Sequence, residues 1–405
     1  MKTDRENKPS AAPAFRVLHT SDLHLGATLY GYDRQVSQRA MLSALADAVA
    51  AAPYDALLVS GDVFDNGQPS AAAQRMLSEA MADIRRRCPG MAIVITGGNH
   101  DSASRLDAFR PVWDIAGVTV VGGWRPTSVY DDFIIPVGDR GFVVAVPYIG
   151  ERSLPQDFYS QVLERVAELN PAGLPVVMMA HTTVVGCGVR GHDTVTERGV
   201  GGIDAVAIAD MGTGYDYLAL GHIHMPQTLT RGDRRVVRYC GTPLAVSFDE
   251  DYPHSLSDVS ISADHTVQVD TIPMTDPWPL MTVPPSGFAP FDQALDMLSA
   301  LDPDLQAYVR LNVSLKPGQK APDDERLLIN RAVDGKACRF CLANYRREES
   351  GTDGSADGGG NMTLQEFASL SPRQVAIKFM ADSGIEATDD LMDLFDIAAN
   401  DDEDK

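Results

Sequence analysis

Residues 1–275 read as an α/β domain, followed by a smaller α/β unit and a helical tail. Three observations lead there. Short runs of β-branched and aliphatic residues alternate with longer segments of helical period; a Pro-rich stretch, DPWPLMTVPPSG, changes that rhythm from 276; and a Gly-rich run, GTDGSADGGG at 351–360, breaks it again. Alternation of strands with crossover-length helices is the mark of an α/β fold.

Taken in order, the strand candidates are FRVLHT, DALLVS, MAIVIT, GFVVAVPY, LPVVMMA, YDYLAL and RVVRYC, all rich in Val, Ile, Leu and Tyr. QRAMLSALADAVAAA and AAAQRMLSEAMADIRRR are amphipathic and long enough to be the helices between the early strands. From 276 to 350 the Pro-rich entry DPWPLMTVPPSG, then a helix at FDQALDMLSAL, a strand at QAYVRLNVSL, a helix at DDERLLINRAV and a strand at KACRFCLANY make a small β-α-β-α-β capping unit. The run 351–360 is a flexible linker by composition. Beyond it, in 361–405, Thr363 and Glu366 have capping-box spacing, Ser371 and Pro372 suit an N-cap and first helical position, and Leu391, Leu394, Phe395 and Ala398 share one helical face. Short amphipathic helices behind a glycine linker have no core of their own, so a partner's groove is their expected home.

No stretch approaches the ~18 apolar residues of a membrane span, and the first fifteen residues lack an apolar signal core, so a soluble cytoplasmic protein is expected. Five cysteines, an odd number in a long chain, speak against a disulfide framework. Cys338 and Cys341 form a C-x-x-C without the second pair of a zinc ribbon, and on a strand they face opposite sides. The net charge of −22 sits badly with nucleic-acid binding, but 351–405 holds 13 acidic and 3 basic residues, which leaves −12 for the rest. Arg85–Arg87, Arg231 with Arg234 and Arg235, and Arg346–Arg347 are local basic clusters that read as solvated faces.

The chemistry lies where the strands stop. FRVLHT runs into SDLHLG, with Asp22 and His24; DALLVS into GDVFD, with Asp62 and Asp65; MAIVIT into GGNHD, with Asn99, His100 and Asp101; LPVVMMA into His181; and YLAL into GHIH, with His222 and His224. Ligands of open α/β sheets gather at the carboxyl ends of strands, so these groups should converge. On extended backbone, i and i+2 project alike, so Asp22 with His24, and His222 with His224, are each expected to address one site. Seven oxygen and nitrogen donors are too many for one divalent ion and suit two that share a carboxylate. A set without thiolate fits Mn²⁺, Fe²⁺ or Zn²⁺, and its hard character favours Mn²⁺. Two ions ~3.5–4 Å apart clamp the attacking and leaving oxygens of a displacement at phosphorus, so phosphoester hydrolysis is expected. Gly61, Gly97, Gly98 and Gly221 allow tight turns beside the donors. His100, next to Asn99 but projecting elsewhere, is the candidate catalytic group. Asp101 is placed to orient it, and equally to cap the helix at SASRLDAF.

The set D-x-H, G-D-x-x-D, G-N-H-D, an isolated His and G-H-x-H resembles the calcineurin-type metallophosphoesterase superfamily over about 230 residues. LHTSDLHLG, SGDVFDNGQPS, GGNHDS, AHTTVVG, YLALGHIHMPQ and VRYCGTPLAVSFDE more narrowly resemble the bacterial SbcD nuclease subunits. That resemblance implies a sandwich of two mixed β-sheets flanked by helices. It implies one metal on Asp22, His24, Asp62 and His224, a second on Asp62, Asn99, His181 and His222, and His100 as catalytic histidine. It further implies a homodimer joined to an SMC-like ATPase, SbcC, in a heterotetramer, with 3′-to-5′ exonuclease action on double-stranded DNA ends and endonuclease action at hairpins. His19 and His192 match no family ligand, and the role of Asp65 stays open. A protein phosphatase is disfavoured because GDVFDNG lacks an arginine after its second Asp, and a purple acid phosphatase because Phe64-Asp65 offers no tyrosine ligand. A small-molecule phosphodiesterase and an inactive scaffold for the ATPase are the remaining alternatives; the full donor set speaks against the second.

Overall fold

The computed structural model describes residues 15–150, 153–155, 157–189, 205–230 and 235–348, with isolated residues 377, 388, 391 and 392. The linker at 351–360, nearly all of the 361–405 tail, His192, Arg231 and Arg234 lie outside the described residues.

The first half of the chain builds β1 (Phe15–Thr20), a hairpin of β2 (Thr28–Leu29) and β3 (Tyr32–Asp33), α1 (Gln35–Ala50), β4 (Ala56–Ser60), α2 (Ala71–Arg87), β5 (Ala92–Thr96), α3 (Ala103–Ala108), α4 (Arg110–Ile115) and β6 (Val118–Val121). Next come β7 (Ile134–Val137), β8 (Gly141–Ala145), α5 (Phe158–Leu169), β9 (Val176–His181), β10 (Thr183–Val184), β11 (Ala205–Val206), β12 (Tyr217–Gly221), β13 (Gln227–Thr230), β14 (Val236–Tyr239), β15 (Ser255–Ile261) and β16 (Val267–Pro273). Two six-stranded sheets result, in the orders β16-β15-β1-β4-β5-β6 and β13-β14-β12-β9-β8-β7. Within each, β1, β4, β5 and β6, or β14, β12, β9 and β8, run parallel, while the flanking strands are antiparallel.

The period of two along β4 shows how the layers stack. Ala56 and Leu58 join Val177, Met178, Leu218 and Ala219 of the second sheet in one core, whereas Leu57 and Val59 turn to Met41, Leu45, Leu77 and Met81 of α1 and α2 in another. Ser70 starts α2 by accepting the amide of Ala73 at 3.2 Å. All seven strands read from the sequence form. The pair β15 and β16 was not among them, because SLSDVSI interleaves polar residues and Ser257 is buried with its apolar neighbours.

Residues 276–348 carry a separate sheet with its own core: β17 (Leu280–Val283), β18 (Ala289–Pro290), α6 (Phe291–Ser299), β19 (Tyr308–Leu315), α7 (Glu325–Val333) and β20 (Arg339–Arg347). β19 is its central strand, and all pairings are parallel. In β20 the partners jump from Phe340 to Leu342, so Cys341 is the extra residue of a bulge while Cys338 faces the core.

Candidate metal centre

The loops after β1, β4, β5, β9 and β12 meet at one end of the paired sheets. Asp22 N donates to the Gly61 carbonyl at 3.0 Å and His24 N to the Asp62 carbonyl at 3.1 Å, which ties the first two loops side by side. His222 N donates to the Asp22 carboxylate at 3.0 Å, and His100 N to Asp62 Oδ1 at 2.9 Å. The structure corrects the expected extended geometry. Asp22 (φ 52°), His24 (φ 42°), Asp62 (φ 46°) and His222 (φ 93°) are four of seven non-glycine residues with positive φ among the described residues. Such backbone is disfavoured away from glycine and concentrates at functional sites. For His222 and His224, i and i+2 therefore do not point together, whereas Asp22 and His24 fall in one group as expected. His224 meets His24, with their Nε2 atoms 3.2 Å apart, whereas His222 Nδ1 lies 2.9 Å from Asn99 Oδ1.

Two glycines are compelled by this crowding. At Gly61, φ is +81° and an added Cβ would stand 2.1 Å from His181 Nδ1; at Gly98 it would stand 2.1 Å from Asp62 Oδ1.

His24, Asp65 and His100 cluster at the edge, and the donors form two adjoining groups, Asp22 with His24 and His224, and Asp62 with His181 and His222. Asp62 reaches both, its Oδ2 lying 3.3 Å from His181 Nε2 and 3.9 Å from His24 Nε2, and Asn99 Oδ1 joins the second group 2.9 Å from His181 Nε2. Burial pushes Asp62 up, but the imidazoles, His181 foremost, hold it well below the usual carboxylate range. Burial pushes His181 down, and Asp62 overrides it to about 9, a proton that a divalent cation replaces on binding. Burial drives His24 down to about 3 despite the neighbouring Asp62, so it is a neutral, ligand-ready imidazole. Carboxylates and imidazole nitrogens packed this closely in a buried place fit divalent ions.

The rings are held from behind. His181 Nδ1 lies 2.9 Å from the Ser60 carbonyl and His224 Nδ1 lies 2.9 Å from Glu250 Oε1, so each N–H is donated away and Nε2 faces the centre. Glu250 was not found in the sequence; it lies 26 residues beyond His224 in no spaced motif, and its only signal is an acidic residue closing the matched stretch GTPLAVSFDE.

The position of His100 sharpens one expectation and changes another. Its Nδ1 lies 2.8 Å from the Asp65 carbonyl, so Nδ1 carries the donated N–H and Nε2 is left as the free ring nitrogen, and its ring stands edge-on to His24. Asp101 neither contacts that ring nor caps α3, whose N-cap is Ser102. Its Oδ2 accepts from Val63 N at 3.0 Å and Gly98 N at 2.9 Å, and its Oδ1 from Phe64 N at 3.0 Å. The catalytic reading of Asp101 thus gives way to a positioning one: it staples the second and third loops, with desolvation and then Asp62 pushing its pKa up to about 6. The Asp65 carboxylate lies 3.9 Å from His24 Nδ1. His19 is buried and bonded to Tyr217 Oη at 2.9 Å, away from the donors. Arg85 is spent on the carbonyls of Pro89 and Met91, and Arg86 and Arg87 pair with Asp83.

Two face-to-face mixed sheets whose strand ends gather these donors define a metallophosphoesterase. The model of the calcineurin-like phosphoesterase family matches residues 15–226. The SbcD component of the SbcCD nuclease of Rhodobacter capsulatus is 34% identical over 314 residues, 71% of this chain and 76% of that protein. Its counterparts in Escherichia coli and Bacillus subtilis are 31% and 33% identical, each over 58% of this chain and over 62% and 63% of their own lengths. The chain belongs to the calcineurin-like phosphoesterases and, among them, to the SbcD family. It is a metal-dependent phosphoesterase.

Proposed function

We propose that this chain is the nuclease subunit of a two-protein complex, hydrolysing phosphodiesters of double-stranded DNA 3′ to 5′ from ends and endonucleolytically at hairpins. The carrying observation is the meeting of five strand-end loops in two donor groups that share Asp62. Asp22, His24, Asp62 and His224 would hold one ion, and Asp62, Asn99, His181 and His222 the other, with Mn²⁺ the ion that suits these donors. When bound, such a pair supplies an activated water and neutralises charge at phosphorus. His100 stands at the edge of the centre with Nε2 free, and as an imidazolium it would protonate a leaving oxygen or bond a phosphoryl oxygen from that atom. It lines an open depression of about 750 Å³ together with Asn66, Gln68, Asn99, Ser102 and Arg105. Room for a polymer and a guanidinium for a neighbouring phosphate favour DNA over a small diester.

The partner is the SMC-like ATPase SbcC, taken up by residues 361–405, and the complex works on DNA in the cytoplasm. The chain pairs with a second copy through the face of α3 and α4, where Phe109, Val112 and Ile115 are 54%, 63% and 90% exposed beside an apolar cavity of about 410 Å³. Purified chain with Mn²⁺ is expected to degrade blunt double-stranded DNA and to hydrolyse bis-p-nitrophenyl phosphate, and His222→Ala to do neither. Diester turnover without DNA cleavage, even after SbcC is added, would instead support a small-molecule phosphodiesterase.

A further inference from the structure

Residues 245–250 are clasped at three points. Arg34, buried at the start of α1, donates to the Ala245 carbonyl and, at 2.9 Å, to Asp276 Oδ2. Arg310, on the central strand β19 of the capping sheet, donates Nη1 to Asp249 Oδ1 at 2.8 Å and Nη2 to the Phe248 carbonyl at 3.2 Å. Its guanidinium also lies 5.3 Å from the centre of the Phe248 ring, which packs with Leu29 and Tyr308. The third point is Glu250, whose fully buried carboxylate accepts Val246 N on Oε2 at 3.2 Å and faces His224 Nδ1 with Oε1 at 2.9 Å.

One oxygen of Glu250 is thus committed to the strap and the other to a metal-ligand candidate. The carboxylate cannot shift without the strap, and the strap cannot shift without breaking the Arg310 clasp. Metal–ligand distances tolerate only about ±0.2 Å, so a small displacement matters. Resting on the two-metal reading above, we infer that Glu250 is a positioning residue for His224, and that Arg310 makes ion affinity on the His24–His224 side depend on where the capping sheet sits. Because such coupling is reciprocal, ion binding there also steadies the strap against movement of the cap.

The test is Mn²⁺ binding to the full metal-free chain, followed by calorimetry. Wild type is expected to bind two ions. Glu250→Gln should weaken one of them about 10–100-fold, and Arg310→Ala should weaken the same one by about tenfold. Arg326→Ala, an exposed change elsewhere on the cap, should leave both as in wild type. Amide exchange at Val246 and Glu250 supplies a second readout on unaltered chain, and Mn²⁺ should slow it. Wild-type affinity in both strap variants, or exchange unmoved by Mn²⁺, overturns the inference while leaving the metal site intact. A wild type that binds no Mn²⁺ overturns the metal reading and the inference with it.

Discussion

The two donor groups are supported in different ways. His181 and Asn99 are held from inside the paired sheets: Ser60 at the end of β4 fixes the His181 ring, and His222 and His181 both close on the Asn99 side chain. His24 and His224 depend on outlying pieces instead, Gln38 of α1 on the His24 carbonyl and the Glu250 strap on the His224 ring. One half of the centre is held by the sheets themselves, and the other by α1 and the strap that lean on it. Asp62 is the residue that makes them one site.

Removing Asp62 breaks the comparison most completely. Asp62→Ala should lose both ions and all measurable diester turnover, and one ion retained at full affinity would show two independent sites. His100→Ala belongs to neither group, so it should cut turnover about 10²–10⁴-fold with two ions still bound; loss of an ion in calorimetry would make it a ligand. Asp101→Ala should loosen the turn that carries the shared Asp62. It leaves the amides of Val63, Phe64 and Gly98 without their carboxylate, which should cost about 2 kcal/mol or more of stability. A melting temperature equal to wild type would show the staple to be redundant.

What the sequence revealed follows the same division. The convergence of these seven side chains was legible because each follows an apolar run that reads as a strand, and strand ends converge in this class of fold. Their backbone was not, since the i, i+2 rule assumes extended chain and four of them sit at positive φ. The loop staple made by Asp101 was not legible, because a carboxylate just before a helix reads as a cap or as a partner of the neighbouring His100, and only the fold shows which amides it meets. Glu250 and Arg310 are joined to their partners across 26 and 61 residues, a separation that no local pattern marks. The basic runs at Arg85–Arg87 were legible as surface, since neighbouring acids and carbonyls consume them.

The placement of β1 has a consequence for how the chain is made. It lies inside its sheet, between β4 and β15, so the first strand synthesised waits for residues 255–261 before its second edge is paired. Long-range pairing of that kind comes late in folding. A nascent chain on the ribosome that has not yet emerged past residue 250 lacks the Glu250 buttress and that closing strand. The cluster of strand-end donors therefore lacks its closing strand until translation is well past His224.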